Sequence, residues 1–334
     1  MLAEFQLQYV LEKRDPRVMG DSLASLPSTV DSAYHNIIDR IAENGPESEQ
    51  LVWRILTWIF RCTRPLKMVE LQEALSVRPG DSDLFPHYFM SSDDIVEQCE
   101  SWVSHDIATE VVRFTHFSVH EFLMTNCKDK LLSPTYLAMT CLTYLQFSTF
   151  SGGPCTEEKA MKQRLQTYKF SRYASSYWGD HTRGIAEGDA SLQCSIFPFL
   201  CCKPKRDSMQ QLLANEKRSY LSIGFDSTQT MMHLIASQGL RTILSLALER
   251  QNSSDVEQKL ASMSENELDV NATDTPFMRG AQNGHGSLVK ELLERGAHVN
   301  AEGGGYGNAL QAASINGHRG VVELLLERGT HINA

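Results

Sequence analysis

The 334-residue chain has no apolar run long enough to cross a bilayer. Its most hydrophobic stretch, Leu51 to Phe60, is interrupted by Arg54 and falls well short of the roughly 20 residues a spanning helix needs. That excludes a membrane span. The amino terminus, Met1-Leu2-Ala3-Glu4-Phe5-Gln6, lacks the basic region and apolar core of a secretory signal. Positive charge is also short: 31 Lys and Arg face 41 Asp and Glu, a net charge of −10. A general binder of nucleic acid or anionic membrane needs a cationic footprint, so this balance argues against both, while leaving room for a local patch. The eight cysteines (62, 99, 127, 141, 155, 194, 201 and 202) contain no C-x-x-C pair. They read as reduced thiols of the cytoplasm, with the nucleus as the alternative. The sequons at Asn252 and Asn271 are short enough to arise by chance.

Two catalytic signatures are missing as well. No G-x-x-x-x-G-K-[ST] phosphate loop occurs; Gly152-Gly153-Pro154 lacks the lysine and the second glycine spacing. No G-x-S-x-G is present either. What is present is a globular composition, 42% hydrophobic and 22% charged, in a chain long enough for two or three domains.

The carboxyl-terminal third repeats itself. Asn283-Gly-His-Gly-Ser-Leu-Val-Lys-Glu-Leu-Leu-Glu-Arg-Gly-Ala-His-Val-Asn-Ala301 returns, at an offset of 33, from Asn316 to Ala334. A worn copy lies upstream, where Thr230-Met-Met-His233 leads to Gly239 and the apolar run Ile243 to Leu248. Gly284 and Gly317 stand where a short first helix must end left-handed. Val289, Leu292 and Leu293, like Val322, Leu325 and Leu326, give each second helix one apolar stripe. Gly296 and Gly329 then stop those helices. A single helix pair cannot bury its stripe, so neighbouring copies must stack.

This pattern resembles the ankyrin repeat over about residues 220–334. Thr275-Pro276-Phe277 and Thr230-Met-Met-His233 match its opening, and the N-G-H and V-N-A strings match its later part. In that family the Thr caps the first helix and the His bonds back to the turn. Asn308-Ala309-Leu310-Gln311 departs from the pattern: Asn308 can still cap, but Gln311 is no equivalent of that histidine. A polar stretch from Glu249 inflates the first copy, and no polar cap follows the last. Solenoid ends normally carry one, so the expectation is a longer natural array or a truncated gene model.

The first half has another pattern. Val52, Ile55, Leu56, Ile59 and Phe60 predict one helix; Met68, Leu71 and Leu75 a second, after Thr63-Arg64-Pro65. Ser91-Ser92-Asp93-Asp94 caps a third that carries Ile95, Val96 and Cys99. Ser101 to Ser104 and Glu110 to Phe114 predict a hairpin. Ser118-Val119-His120-Glu121 then reads as a capping box stapled by Phe117 and Phe122. Three helices followed by a two-stranded wing is a winged-helix order.

Pro65-Leu66, Glu70-Leu71, Glu73-Ala74-Leu75 and Val112-Arg113-Phe114-x-His116-Phe117-Ser118-Val119-x-Glu121-Phe122-Leu123 resemble the winged helix that follows the NACHT NTPase in fungal NLR-like (STAND) proteins. Leu23-Ala24-Ser25-Leu26-Pro27 with Val30, Asp31 and Tyr34 is similar to the helical segment before it. Tyr136-Leu137-Ala138, Cys141-Leu142, Tyr144-Leu145 and Tyr173-Ala174 through His181 resemble the connector leading into ankyrin repeats. The stretch 150–168 and a loop around 182–215 stand outside the resemblance. It implies a signalling switch in which repeats sense a ligand and the winged helix restrains an NTPase, itself absent here. The implied partners are a protein bound by the repeats and a NACHT NTPase domain.

Weaker candidates each have a simpler structural reading. Gly20-Asp21-Ser22-Leu23 spells a hydrolase nucleophile block, but Ser22 would need a histidine base and an orienting acid. Similar winged helices carry a GPI inositol-deacylase label, yet no catalytic residues for that reaction are found. His116 and His120 are four apart, a zinc spacing, but Ser118 as N-cap keeps them off one helical face. A winged helix can read DNA; residues 51–132 hold eight Lys and Arg against twelve Asp and Glu, which repels phosphate. Lys203-Pro204-Lys205-Arg206 reads as a solvated linker before a nuclear address. Trp53, Trp58, Trp102 and Trp178 read as packing.

The expected architecture is therefore mainly α: a helical lead-in (1–48), a winged helix with a small β-hairpin (49–132), a helical connector (133–218) and an ankyrin α-solenoid of about three repeats (219–334). The expected function is non-catalytic protein binding, with no cofactor, metal, nucleic acid or membrane. By register the partner would meet Met278, Arg279, Gln282, Tyr306, Gln311, Ser314 and Ile315. The competing readings are a serine hydrolase and a DNA-binding regulator.

Overall fold

A computed structural model describes residues 29–216, 229–249, 267–269, 271, 275–303 and 305–331. Ser22, the segment before Pro27, the sequon at Asn252 and the polar insertion after Glu249 lie outside them. The chain divides into two compact units, residues 1–76 with 86–132, and residues 77–85 with 133–334.

In the first unit, Thr29 caps α1 (Val30–Glu43) by accepting from the Ser32 amide at 3.1 Å. Pro46 occupies the first turn of α2 (Pro46–Arg61), whose Val52, Ile55, Leu56 and Trp58 are fully buried. α3 (Met68–Ser76) starts three residues after Pro65, because Lys67 forms a bridge with Val111 before the helix begins. Ser91 caps α4 (Ser92–Gln98) through the Asp94 amide. The wing follows, with β1 (Val103–Asp106) antiparallel to β2 (Val111–Phe114) in register Val103↔Phe114. α5 (Phe117–Asn126) completes the unit.

The expected capping box at Ser118 does not form. His116 is the N-cap of α5, and the Ser118 hydroxyl instead pairs with the Tyr34 hydroxyl at 2.8 Å. Phe117 is 74% exposed, so it staples nothing, while Phe122 packs beside Tyr34 and Trp102. Tertiary packing of an aromatic core has overridden a local signal. Trp58 and Trp102 are fully buried here, as packing residues should be.

In the second unit, α6 (Pro134–Leu145) packs against α8 (Ser171–Thr182) through Leu137, Cys141, Tyr144, Tyr173 and Trp178. The unpatterned stretch 150–168 holds α7 (Glu158–Thr167). The expected loop at 182–215 is also helical: a short 3-10 turn, then α9 (Ala190–Cys201) and α10 (Lys203–Glu216). Asp189 caps α9 through the Ser191 and Leu192 amides.

The linker reading of Lys203-Pro204-Lys205-Arg206 is overturned. These residues form the first turn of α10, and Arg206 has no solvent exposure. Its guanidinium donates to the Leu200 carbonyl and pairs with Glu267 at 2.7 Å. A buried, paired arginine is neither a solvated linker nor a readable nuclear address.

Three helix pairs follow: α11 (Met231–Gln238) with α12 (Arg241–Glu249), α13 (Pro276–Gln282) with α14 (Gly286–Glu294), and α15 (Ala309–Ile315) with α16 (Arg319–Glu327). The first helices stack in one layer and the second helices in another. Between the last two pairs lies a short hairpin, β3 (Glu302–Gly303) with β4 (Gly307–Asn308). The buried stripe runs through Leu288, Val289 and Leu292, and through Val321 and Leu325. It is shifted one residue from the expected one: Leu326 is 43% exposed.

Candidate functional site

Three devices build the repeats, the first two in all three copies and the third in the last two. A side chain caps the first helix: Thr230 for α11, Thr275 through the Met278 amide at 3.2 Å, and Asn308 through the Gln311 amide at 2.9 Å. In the first copy the His233 ring accepts the Thr230 amide at 3.2 Å, completing a capping box. Glycines then turn the chain left-handed, with φ of 70° at Gly239, 76° at Gly284 and 74° at Gly317. Finally, the histidine of each N-G-H string reaches back one repeat. His285 Nε2 donates to the Ser237 carbonyl at 3.0 Å, and His318 Nε2 donates to the Gln282 carbonyl at 2.9 Å. Since a carbonyl only accepts, these bonds fix a proton on Nε2 of both rings.

Two carboxylates, Glu187 of the connector and Glu267 of the repeat region, hold helix starts at the near end of the stack. Glu187, only 3% exposed, accepts the Thr242 amide at 2.7 Å and the Ile243 amide at 3.3 Å, capping α12 from outside. Its other oxygen accepts the Gly184 amide at 3.0 Å. Glu267, held by Arg206, accepts the Met231 amide at 2.7 Å and so caps α11. Arg183 adds a bond to the Gln238 carbonyl at 3.0 Å. Each helix of the first repeat therefore has a first-turn amide held by a carboxylate from outside it, α11 in addition to its own Thr230 cap.

His285 sits in that joint. Burial, then the nearby Arg183 charge, hold its ring below the ordinary imidazole range; His318 acts the same way, while the Ser237 carbonyl and Asp180 oppose. The folded state thus favours the neutral ring, and the unfolded chain binds more protons below pH of about 6.5. Stability should be intact above that value and fall as pH drops through it. Denaturant midpoints measured from pH 7.5 down to about 5.5 should decline, and the decline should be shallower in His285→Gln.

The residues expected to meet a partner fall into two groups. Met278, Arg279, Gln282 and Tyr306 line one shallow depression, together with Gly303 and Gly305 of the hairpin turn. Met278 is only 4% exposed and Ala312 only 1%, so these two form its apolar floor. Arg279 and Gln282 stand half-buried on α13, with Arg279 Nη1 donating to Gln282 Oε1 at 3.4 Å. Gln311, Ser314 and Ile315 lie on α15 outside the depression; all three are exposed, and Ile315 is 70% accessible. Sequence reading missed Gly303, Gly305 and Ala312. Their signal is the glycine triplet at 303–305, of which Gly303 and Gly305 leave the wall of the depression without side chains.

The winged helix offers little cationic surface. Arg64 forms a two-pronged pair with buried Glu70 at 2.8 and 2.7 Å, and Glu70 also accepts the Lys67 amide. Arg54 and Arg61 donate to the Leu75 and Leu132 carbonyls. Lys67, Arg113 and Lys130 pair with Glu110, Asp106 and Glu49. His120 stacks on Phe60 at 4.5 Å and on Phe117 at 5.8 Å, while His116 stands at the N-cap position in extended backbone, so the two histidines share no helical face. Among the described residues, no group of three or more His, Cys, Asp or Glu is placed to hold a metal ion. Nor does any described helix have the length and apolarity to cross a membrane.

None of the eight cysteines is in a disulfide. Burial pushes Cys62 up to about 11 and drives Cys99 and Cys141 further in the same direction. Such thiols hold almost no thiolate at neutral pH and are poor nucleophiles.

Comparison with known proteins agrees with this architecture. Residues 41–133 match the family described as GPI inositol-deacylase, winged helix domain. Residues 244–334 match ankyrin repeats in three copies. The fold is thus mainly α, a winged helix followed by an ankyrin solenoid. The chain is similar to the "Azaphilone pigments biosynthesis cluster protein L" of Monascus ruber, 25% identical over 320 aligned residues, covering 87% of this chain. It spans 57% of that relative's length.

Proposed function

We propose that this chain is a non-catalytic protein-interaction module of a NACHT-ankyrin signalling protein, and that it binds its partner through the ankyrin surface. One observation carries this reading. Stacking and the connector consume the buried faces of the repeats, yet polar and apolar side chains at the ends of α13 and α15 and in the hairpin turn still reach solvent. Solenoids use such surfaces for docking. Eight cysteines without a disulfide, four of them buried, suit a reducing cytoplasm. In this architecture the winged helix packs against an NTPase, and its cations are already engaged by its own acids and carbonyls, which disfavours duplex DNA as its ligand.

Paired surface variants test the proposal. Tyr306→Glu with Ile315→Glu should abolish capture of the chain's partner, whereas Phe117→Ser with Met124→Ser, exposed on the winged helix, should leave it intact. The reverse pattern overturns the assignment. A fluorophosphonate serine probe should not label the chain stoichiometrically; labelling lost in Ser22→Ala would make it a hydrolase.

A further inference from the structure

The repeats show twice how the outer face of a helix pair is covered. Between the first and second copies, Arg241 pairs with Glu291 and Arg295 with Glu249. Between the second and third, a Cβ on Gly286 at the start of α14 would lie 3.7 Å from Val321, and Glu294 pairs with Arg328 at 3.8 Å. On the same helix Val289 is fully buried and Leu293 half-buried. The spacing of 33 carries Gly286, Val289, Leu293 and Glu294 onto α16 as Arg319, Val322, Leu326 and Glu327. There the face lies open. Val322 is only half-buried, Leu326 is 43% exposed, and Glu327 is exposed with no ion pair among the described residues. Arg319 is 89% exposed, and its pair with Glu323 one turn on is a solvent-exposed one that contributes little.

The charges on this stripe have an order. Arg319 stands in the first turn of α16 and Glu327 in the last, with Val322 and Leu326 between them. Both end charges oppose the dipole of their own helix, so neither is placed to stabilise α16 itself. A second α16 running antiparallel, about 8–10 Å away, meets the stripe with the opposite sign at each end. Arg319 of one copy then faces Glu327 of the other, twice, across an apolar centre. That is the self-complementary pattern of an isologous interface. The near end of the stack offers no alternative face: Glu187 holds the start of α12 and Arg183 the Gln238 carbonyl, so copies cannot add head to tail. We propose that two copies of this chain join through the outer faces of their α16 helices, antiparallel about a two-fold axis, as a closed dimer. The partner surface on α13, the hairpin turn and α15 is built by other elements, so variants of α16 leave it unaltered.

Sedimentation equilibrium of the full chain, up to about 0.1 mM, should show monomer and dimer and nothing larger. Arg319→Glu alone and Glu327→Arg alone each set like charges against one another at both ends of the joint, and each should weaken the dimer roughly tenfold or more. An equimolar mixture of these two variants should recover it, because every mixed pair meets opposite charges at both ends. Leu326→Asp should weaken the dimer at least about tenfold. Thermal melting of each variant establishes that it folds. A chain that stays monomeric throughout, or a dimer that none of these variants weakens, overturns the proposal and leaves the partner surface of the repeats standing. A dimer weakened by both charge variants but not recovered on mixing overturns the antiparallel arrangement.

Discussion

Gly284→Ala should destabilise the second unit by about 3 kcal/mol, while Gly317→Ala, the same substitution one repeat later, should cost only about 1–2 kcal/mol. Both glycines are left-handed, at φ 76° and 74°, so both variants carry the steric cost of a Cβ in that region. Only the first meets a neighbour. A Cβ at Gly284 would lie 2.5 Å from the His318 ring, whereas one at Gly317 meets nothing within 4 Å. The imidazole would have to leave, forfeiting its bond to the Gln282 carbonyl and with it about 0.5–1.5 kcal/mol. For a unit of this size each kcal/mol lowers Tm by roughly 2–4 °C, so thermal melting should separate the two variants by several degrees. Equal losses would mean that the histidine joint contributes nothing. Gly239 meets His285 in the same way at 2.6 Å, and Gly239→Ala should behave like Gly284→Ala.

The second large effect concerns Arg206. Its side chain is fully buried and joins α9, α10 and Glu267, which in turn caps α11. Arg206→Met leaves the Leu200 carbonyl and one Glu267 oxygen without their cationic donor. Breaking a buried pair from one side costs about 3–5 kcal/mol; because Glu267 is 18% exposed and keeps the Met231 amide, about 3 kcal/mol is expected. Lys203→Ala, three residues earlier on the solvent side, should change stability by less than about 0.5 kcal/mol. Urea unfolding of the two variants decides the matter. A shift for Arg206→Met as small as that for Lys203→Ala would restore the linker reading of this basic cluster.

That cluster illustrates what could and could not be read in advance. The repeats were legible because each glycine and each apolar position recurs at a spacing of 33, and a fixed period carries its own evidence. The winged-helix order was legible from three helical patterns and an alternating pair of strands. Arg206 was not: a sequence displays charge but not burial, and nothing local announces that its partner is Glu267, 61 residues away. α9 was missed for a related reason. Its apolar residues surround much of the helix, including Ile196, Phe197, Phe199 and Leu200, so no single stripe marks it, and Pro198 argues against a helix at all. Ser118 was misread because S-x-x-E is a sound local rule that a tertiary partner, the Tyr34 hydroxyl, outcompeted. In the candidate site, register placed Arg279, Gln282, Tyr306, Gln311, Ser314 and Ile315 where side chains reach solvent. It also placed Met278, which turns out to be floor, and it gave no hint that glycine backbone forms the opposite wall.

The central claim is that recognition happens on the repeats. Amide hydrogen exchange of the full chain, with and without a bound partner protein, tests it most directly. The account predicts slowed exchange in α13, the 302–308 hairpin and α15, with the winged-helix residues 86–132 unchanged. Slowed exchange confined to the winged helix, with the repeats unaffected, would contradict it.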